Sequence, residues 1–252
     1  MAEMRSYVIC ATPRTGSTLL CDLLTATGSA GAPDSFFMAD PDPAWARAWG
    51  LPRRGTLSPA DHARATLAAA IRAGSGRSGF FGLRLMHRDL PALAALIEIA
   101  HPGRGSDRAR FEAAFGEVLY IRLARQDRLA QAVSLVKAVQ TGLWHVAPDG
   151  REIERLAPPR PPVYDAEAIG RTLARLEAED AGWLGWFAAA GVTPLRIGYE
   201  ALAANPAAEI GRICDALGLA APAPGTLRPG VAPLADATNS AWIARFRAET
   251  RG

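Results

Sequence analysis

Residues Tyr7-Val8-Ile9-Cys10-Ala11 form a short apolar run, followed at once by Thr12-Pro13-Arg14-Thr15-Gly16-Ser17-Thr18 and then by Leu19, Leu20, Leu23 and Leu24 at helical spacing. The run reads as a buried strand, the Pro/Gly/Ser/Thr stretch as a turn, and Ser17 to Thr27 as a helix that Gly28 ends. Strand, hydroxyl-rich turn and helix start in that order predict an anion site. Backbone N–H groups in the first helical turn lack internal partners, and the macrodipole is positive there. Ser17 and Thr18 add hydroxyl donors, and Arg14 adds a permanent charge on a planar set of donors. A phosphate is the ligand this chemistry fits. The loop is not that of ATP- and GTP-hydrolysing proteins, which needs Gly, four residues and then Gly-Lys-Ser/Thr. Ala11 stands where the first glycine would be, and Ser17, not lysine, follows Gly16.

The same alternation continues along the chain. Phe80–Met86, Val118–Leu123 and Pro194–Gly198 read as further strands, with Arg84 inside the first of them. Helices are predicted from the Ser58 cap to about Ala73, over Leu90–Ala100, from Asp127 to about Thr141, over Asp165–Ala190 and over Pro206–Leu217, with a last one starting at Ser240. Pro41–Pro59, the basic stretch of Arg104, Arg108 and Arg110, His145–Pro162 and Ala220–Pro233 read as loops, the third as a loop or lid. Strands alternating with helices imply an α/β fold, a three-layer parallel sheet with helices on both faces and helical insertions. Ligands in such folds bind at the carboxyl ends of the strands. The Arg14 loop, the Met86-His87-Arg88 turn and Arg125 all fall there.

The 252 residues, 49% hydrophobic, suffice for one large core and a single domain over 1–252. A net charge of +3 suits one local anion site and not a nucleic-acid coat. The three cysteines, Cys10, Cys21 and Cys214, lie far apart in apolar or helical patterns. They read as reduced and buried, which suits a cytoplasmic protein. No metal-ligand spacing, signal peptide or membrane-spanning segment is legible.

Placing the cation two residues ahead of the glycine, as Arg14, resembles the 5′-phosphosulfate loop of sulfotransferases, which use the donor 3′-phosphoadenosine 5′-phosphosulfate (PAPS). The fold this implies is the sulfotransferase, P-loop-like one. Arg125, just past the third strand, and Ser134, about two helical turns on, resemble the pair with which those enzymes hold the donor's 3′-phosphate. A dianionic phosphate is well served by a bidentate arginine and a short hydroxyl donor. The wider chain resembles the Stf0 family of bacterial sulfotransferases, whose best-known member sulfates trehalose. The resemblance runs through Ala11–Leu20, Ala26-Thr27-Gly28, Gly31-Ala32-Pro33 with Phe36-Phe37, Gly82–Met86, Arg125-Gln126-Asp127, Gln131–Ser134, Lys137–Thr141 with Trp144, Gly182-Trp183 with Trp186-Phe187, and Asn239–Trp242 with Arg245 and Arg247.

The resemblance implies sulfuryl transfer from PAPS to a hydroxyl of a carbohydrate or glycolipid-type acceptor, giving 3′,5′-ADP, with no metal and as a homodimer. It implies that Arg14 neutralises charge on the bridging oxygen, that Pro13 and Thr15 to Thr18 cradle the 5′-phosphate, and that Arg125 and Ser134 hold the 3′-phosphate. The alternatives are a non-catalytic homologue that binds 3′,5′-ADP or PAPS, and an ATP-dependent kinase on a related fold.

The chain departs from the family pattern at several places, among them a family acid just before the proline that is Ala32 here. The glutamate that stands before the Phe-Phe pair in the family, proposed there as general base, is Ser35 here, and a neutral serine does not accept a proton as a carboxylate does. Three readings stay open. Asp34 takes over; His87 or Asp40 serves; or the acceptor differs from a trehalose-like sugar, or activity is lost. Arg84, where the family usually has lysine, is expected near the acceptor or the sulfuryl group, or else paired with an acid. Trp45, Trp49 and Trp144 are candidates for stacking on a sugar, whereas Trp183 and Trp186 read as core.

Overall fold

The computed structural model describes residues 5–38, 43–53, 55–223 and 225–250. Its centre is a parallel four-stranded sheet formed by β1 (Arg5–Ala11), β2 (Phe81–Met86), β3 (Glu117–Ala124) and the late strand β6 (Leu195–Gly198), in the order β2-β1-β3-β6. In register, Val8 of β1 faces Leu83 of β2 and Tyr120 of β3, and β6 pairs with β3 from Ile121↔Leu195 onward. β1 therefore lies inside the sheet, and its alternation sorts the core into two layers. Val8 and Cys10 join the apolar cluster that contains Leu67, Leu83, Leu93, Phe111 and Trp183. Tyr7, Ile9 and Ala11 join the one that contains Leu20, Leu24, Ile121, Leu202 and Ile213.

The first layer is covered by α3 (Pro59–Ser75), α4 (Leu90–Ala100), α5 (Asp107–Phe115) and part of α7 (Ala166–Ala190). The second is covered by α1 (Ser17–Ala26), α8 (Tyr199–Ala204) and α9 (Pro206–Leu217). This is the expected three-layer α/β arrangement. The caps behave as their chemistry demands. Ser58 accepts from the Asp61 N–H with Pro59 opening α3, and Asp127 and Asp165 cap α6 (Arg128–Thr141) and α7. Gly82 is required by close approach: a Cβ there would lie 2.4 Å from the Tyr7 hydroxyl, which donates to the Ala30 carbonyl at 2.7 Å.

Several stretches read as loops are ordered elements. Residues 107–115 form α5, capped by Ser106, and Pro43–Ala48 form α2. The supposed lid folds back as a hairpin of β4 (Leu143–Val146) and β5 (Glu152–Arg155), to which Ala232 adds an antiparallel bridge at Val146. The last helix, α10 (Ala237–Glu249), starts earlier than expected because Asp236 and Asn239 form a reciprocal capping box. Asp40 lies outside the described residues. The three cysteines are free and buried. Among the described residues no helix is long and apolar enough to cross a membrane.

Candidate functional site

The turn between β1 and α1 is held in an unusual backbone conformation. Arg14 and Gly16 both have left-handed backbone, at φ 64° and 81°. For an arginine this conformation costs about 1–2 kcal/mol, so the surroundings must enforce it. They do so through buried polar contacts. Thr15 Oγ1 donates to the Thr12 carbonyl at 2.8 Å, and the amide of Gln131, fully buried on α6, donates to Thr12 Oγ1 at 2.9 Å and to the Pro13 carbonyl at 2.6 Å. At Gly16 a Cβ would sit 2.5 Å from Cδ2 of Tyr199, so only glycine fits the turn. No side chain caps α1, and its first turn carries no acid. Its leading N–H groups are thus left for an anion.

Two guanidinium groups converge on this turn. Arg14 Nε donates to Ser134 Oγ at 3.1 Å, and its Nη1 donates to the Trp144 carbonyl at 2.8 Å. Arg125 Nη1 reaches the Arg14 carbonyl at 3.4 Å, its charge lies 4.6 Å above the Tyr199 ring, and its buried Nε has no hydrogen-bond partner among the described residues. Burial first, and then the like charge of Arg125, pull the Arg14 pKa below its ordinary value. An arginine keeps its proton regardless. Glu154 opposes the shift in part, and an anionic ligand beside the two guanidinium groups would relieve their repulsion further. Arg14, Ser134, Lys137, Arg155, Asp236 and Asn239 also line a cavity of about 250 Å³.

Beside the turn, Arg84 of β2 spreads its donors over three oxygens, all at 2.8 Å: Nε to Ser35 Oγ, Nη1 to Thr18 Oγ1 and Nη2 to Asp34 Oδ1. Asp34 is placed by a strand-like bridge to Leu83, and its Oδ1 also accepts the Ser35 N–H at 2.7 Å. Arg84 is therefore both paired with an acid and set against the head of α1. His87 sits apart, with its ring edge-on to Trp183 at 5.5 Å and close over Gly182 of α7. The structure thus brings Pro13 to Thr18, Arg125 and Ser134 into one cluster and Asp34, Ser35 and Arg84 into the adjoining one, and leaves His87 out of both.

Other tryptophans are already engaged. Trp45 and Trp49 pack on Phe36 at 5.5 and 5.8 Å. The Nε1 of buried Trp183 donates to the Ala11 carbonyl at 2.9 Å, tying α7 to the end of β1. Among the described residues no group of three or more His, Cys, Asp or Glu side chains is placed to hold a metal ion.

The Stf0 sulphotransferase family model matches residues 6–249. The chain belongs to the Stf0 sulfotransferase family. Among Stf0-type relatives, a trehalose 2-sulfotransferase of Mycobacterium tuberculosis strain Erdman is 34% identical over 98% of this chain and 96% of its own length. A trehalose 2-sulfotransferase of Mycolicibacterium smegmatis is 29% identical over the same shares. A solved sulfotransferase domain from the Synechococcus PCC 7002 olefin synthase is 18% identical, covers 97% of this chain and 87% of its own, and superposes with a TM-score of 0.36.

The Stf0 chain described here is a sulfotransferase, and its strand-end cluster has the parts such chemistry uses: fixed positive charge, uncapped helix N–H groups and rigid positioning. Several of those parts escaped the sequence reading. Gln131 had one signal, a polar residue three before Ser134 on an otherwise apolar helix face. Tyr199 had another, its place just beyond the carboxyl end of a parallel strand. The three-way bonding of Arg84 and the hold of Arg14 on Trp144 had none.

Proposed function

We propose that this enzyme transfers the sulfuryl group of PAPS to a hydroxyl of a carbohydrate or glycolipid-type acceptor and releases 3′,5′-ADP. The observation that carries this reading is the meeting of Arg14 and Arg125 at an uncapped helix start, with a buried arginine N–H unpartnered among the described residues. In this reading the N–H groups of Thr15 to Thr18 hold the 5′-phosphate, and Arg14 neutralises the charge that grows on the bridging oxygen as it leaves. Arg125 and Ser134 hold the 3′-phosphate, which would complete the hydrogen bonding of Arg125. Thr18, Ser35 and Arg84 face the transferring group, and Arg84 stabilises charge on its oxygens. The trehalose 2-sulfotransferase relatives support a sugar-type acceptor.

Calorimetric titration with 3′,5′-ADP, with ATP plus Mg²⁺ as control, tests the donor site. The wild type should bind 3′,5′-ADP far more tightly than ATP, and Arg125→Ala should weaken it at least about tenfold, as expected for losing a charge-assisted hydrogen bond of about 1.5–3 kcal/mol. Absence of 3′,5′-ADP binding, or preference for ATP, would refute the reading.

A further inference from the structure

Sulfuryl transfer to a hydroxyl must remove a proton, and the family's usual carboxylate is replaced here by Ser35. Asp34 is engaged elsewhere: its Oδ1 accepts from both Arg84 Nη2 and the Ser35 N–H. His87 is turned towards α7.

The β4–β5 hairpin carries a group with the required properties. His145 Nδ1 lies 2.6 Å from Glu154 Oε2, and the imidazole is about four-fifths buried. This contact fixes the tautomer in which Nδ1–H donates to the carboxylate, leaving a lone pair on Nε2. Nε2 has no hydrogen-bond partner among the described residues. The hairpin is docked on the transfer site itself, because the Trp144 carbonyl, one residue before His145, accepts Arg14 Nη1 at 2.8 Å.

Charges near the pair come from β2, the β1–α1 turn and α1. Glu154 senses Arg84 from β2 and Arg14 from the turn, besides His145. On α1, one turn beyond Thr18, Asp22 senses His145, Arg84 and Asp34. His145 therefore shares one electrostatic neighbourhood with the groups assigned to the sulfuryl and acceptor side.

We propose that His145 is the general base of this sulfotransferase and that Glu154 is its positioning residue. The inference rests on the donor-site reading above. Nε2 takes the proton of the acceptor hydroxyl as the acceptor oxygen forms its bond to sulfur. The bond from sulfur to the bridging oxygen breaks, and its electron pair leaves on the 5′-phosphate of 3′,5′-ADP. No oxidant, reductant or metal enters this balance. Glu154 holds the ring in place and stabilises the imidazolium that results, as carboxylates do in triads.

The experiment follows 3′,5′-ADP release from PAPS by the full chain, with trehalose as probe acceptor and with water alone, across pH. Wild type, His145→Gln, Glu154→Gln and Glu154→Asp are compared, and calorimetry with 3′,5′-ADP accompanies each. His145→Gln should lower kcat by about 10²–10⁴-fold and lose the acidic limb of the pH profile. Its affinity for 3′,5′-ADP should stay within about twofold of wild type, since no donor contact is removed. Glu154→Gln should lower kcat with the KM for PAPS unchanged, and Glu154→Asp should recover part of the loss.

A His145→Gln enzyme that keeps the wild-type rate or the acidic limb overturns the proposal, and so does one that loses 3′,5′-ADP binding. A wild type that binds 3′,5′-ADP but releases sulfate to neither trehalose nor water also overturns it. A wild type that fails to bind 3′,5′-ADP refutes the donor reading instead.

Discussion

Replacing Gln131 by leucine keeps the side chain's size and helical propensity but removes the amide that holds the phosphate turn in shape. In the wild type its Nε2 donates to Thr12 Oγ1 and to the Pro13 carbonyl, while Oε1 accepts from Arg128 Nη1 at 3.2 Å. Gln131 is fully buried, and Thr12 is nearly so. After substitution the buried Thr12 hydroxyl and the part-buried Pro13 carbonyl each lose a partner. A buried polar group left unsatisfied costs about 1–3 kcal/mol, so the two together cost about 2–5 kcal/mol. Arg128 adds little, because it keeps its pairing with Asp180 and is partly exposed. For a chain of this size each kcal/mol moves the midpoint by roughly 2–4 °C. Thermal unfolding should therefore fall by roughly 4–20 °C, and urea unfolding should shift its midpoint with little change of slope. Gln140 is the control, since its two hydrogen bonds with the Val163 backbone lie at the surface. Gln140→Leu should cost under about 1 kcal/mol. Equal stability losses in the two variants, or a Gln131→Leu protein as stable as wild type, would refute the buried-staple argument.

Two further perturbations probe the same region. Gly16→Ala places a Cβ against Tyr199 and imposes a left-handed backbone on an alanine; it should cost about 1–3 kcal/mol of stability and weaken 3′,5′-ADP binding, because Tyr199 lies under Arg125. Unchanged calorimetry and melting would count against it. Burial raises the Asp22 carboxyl above its ordinary range despite the nearby Arg84 charge. The folded state then binds more protons than the unfolded state between the two pKa values, so this contribution to stability is present below the unfolded pKa and lost as pH rises through the folded one. Asp22→Asn should be more stable than wild type at pH 7 and flatter across the weakly acidic range, and a less stable variant at pH 7 would contradict the burial argument.

The amino-acid sequence determined the layers of this protein, because hydrophobic period and turn chemistry are local. Tyr7–Ala11 could be nothing but a strand inside a sheet, and Ser58-Pro59 or Asp127 announce helix starts through their own caps. It also placed Arg14 and Arg125 just past the ends of strands that a parallel sheet must align on one edge, and Ser134 about two turns beyond the second of them. Local signals misled where a helix is short or its face carries no clear periodicity, as in α2 and α5, and where a Pro-rich, charged stretch hid a hairpin.

Tertiary structure alone decided the connections. Gln131 meets Thr12 across more than a hundred residues of chain. Arg84 finds Ser35, Thr18 and Asp34 at once only because β2 lies beside β1, with Asp34 bridged to Leu83. His145 comes beside the Arg14 turn only because the hairpin docks its backbone on Arg14. Such contacts depend on the relative placement of distant elements, and no periodicity or spacing within a single element encodes that placement.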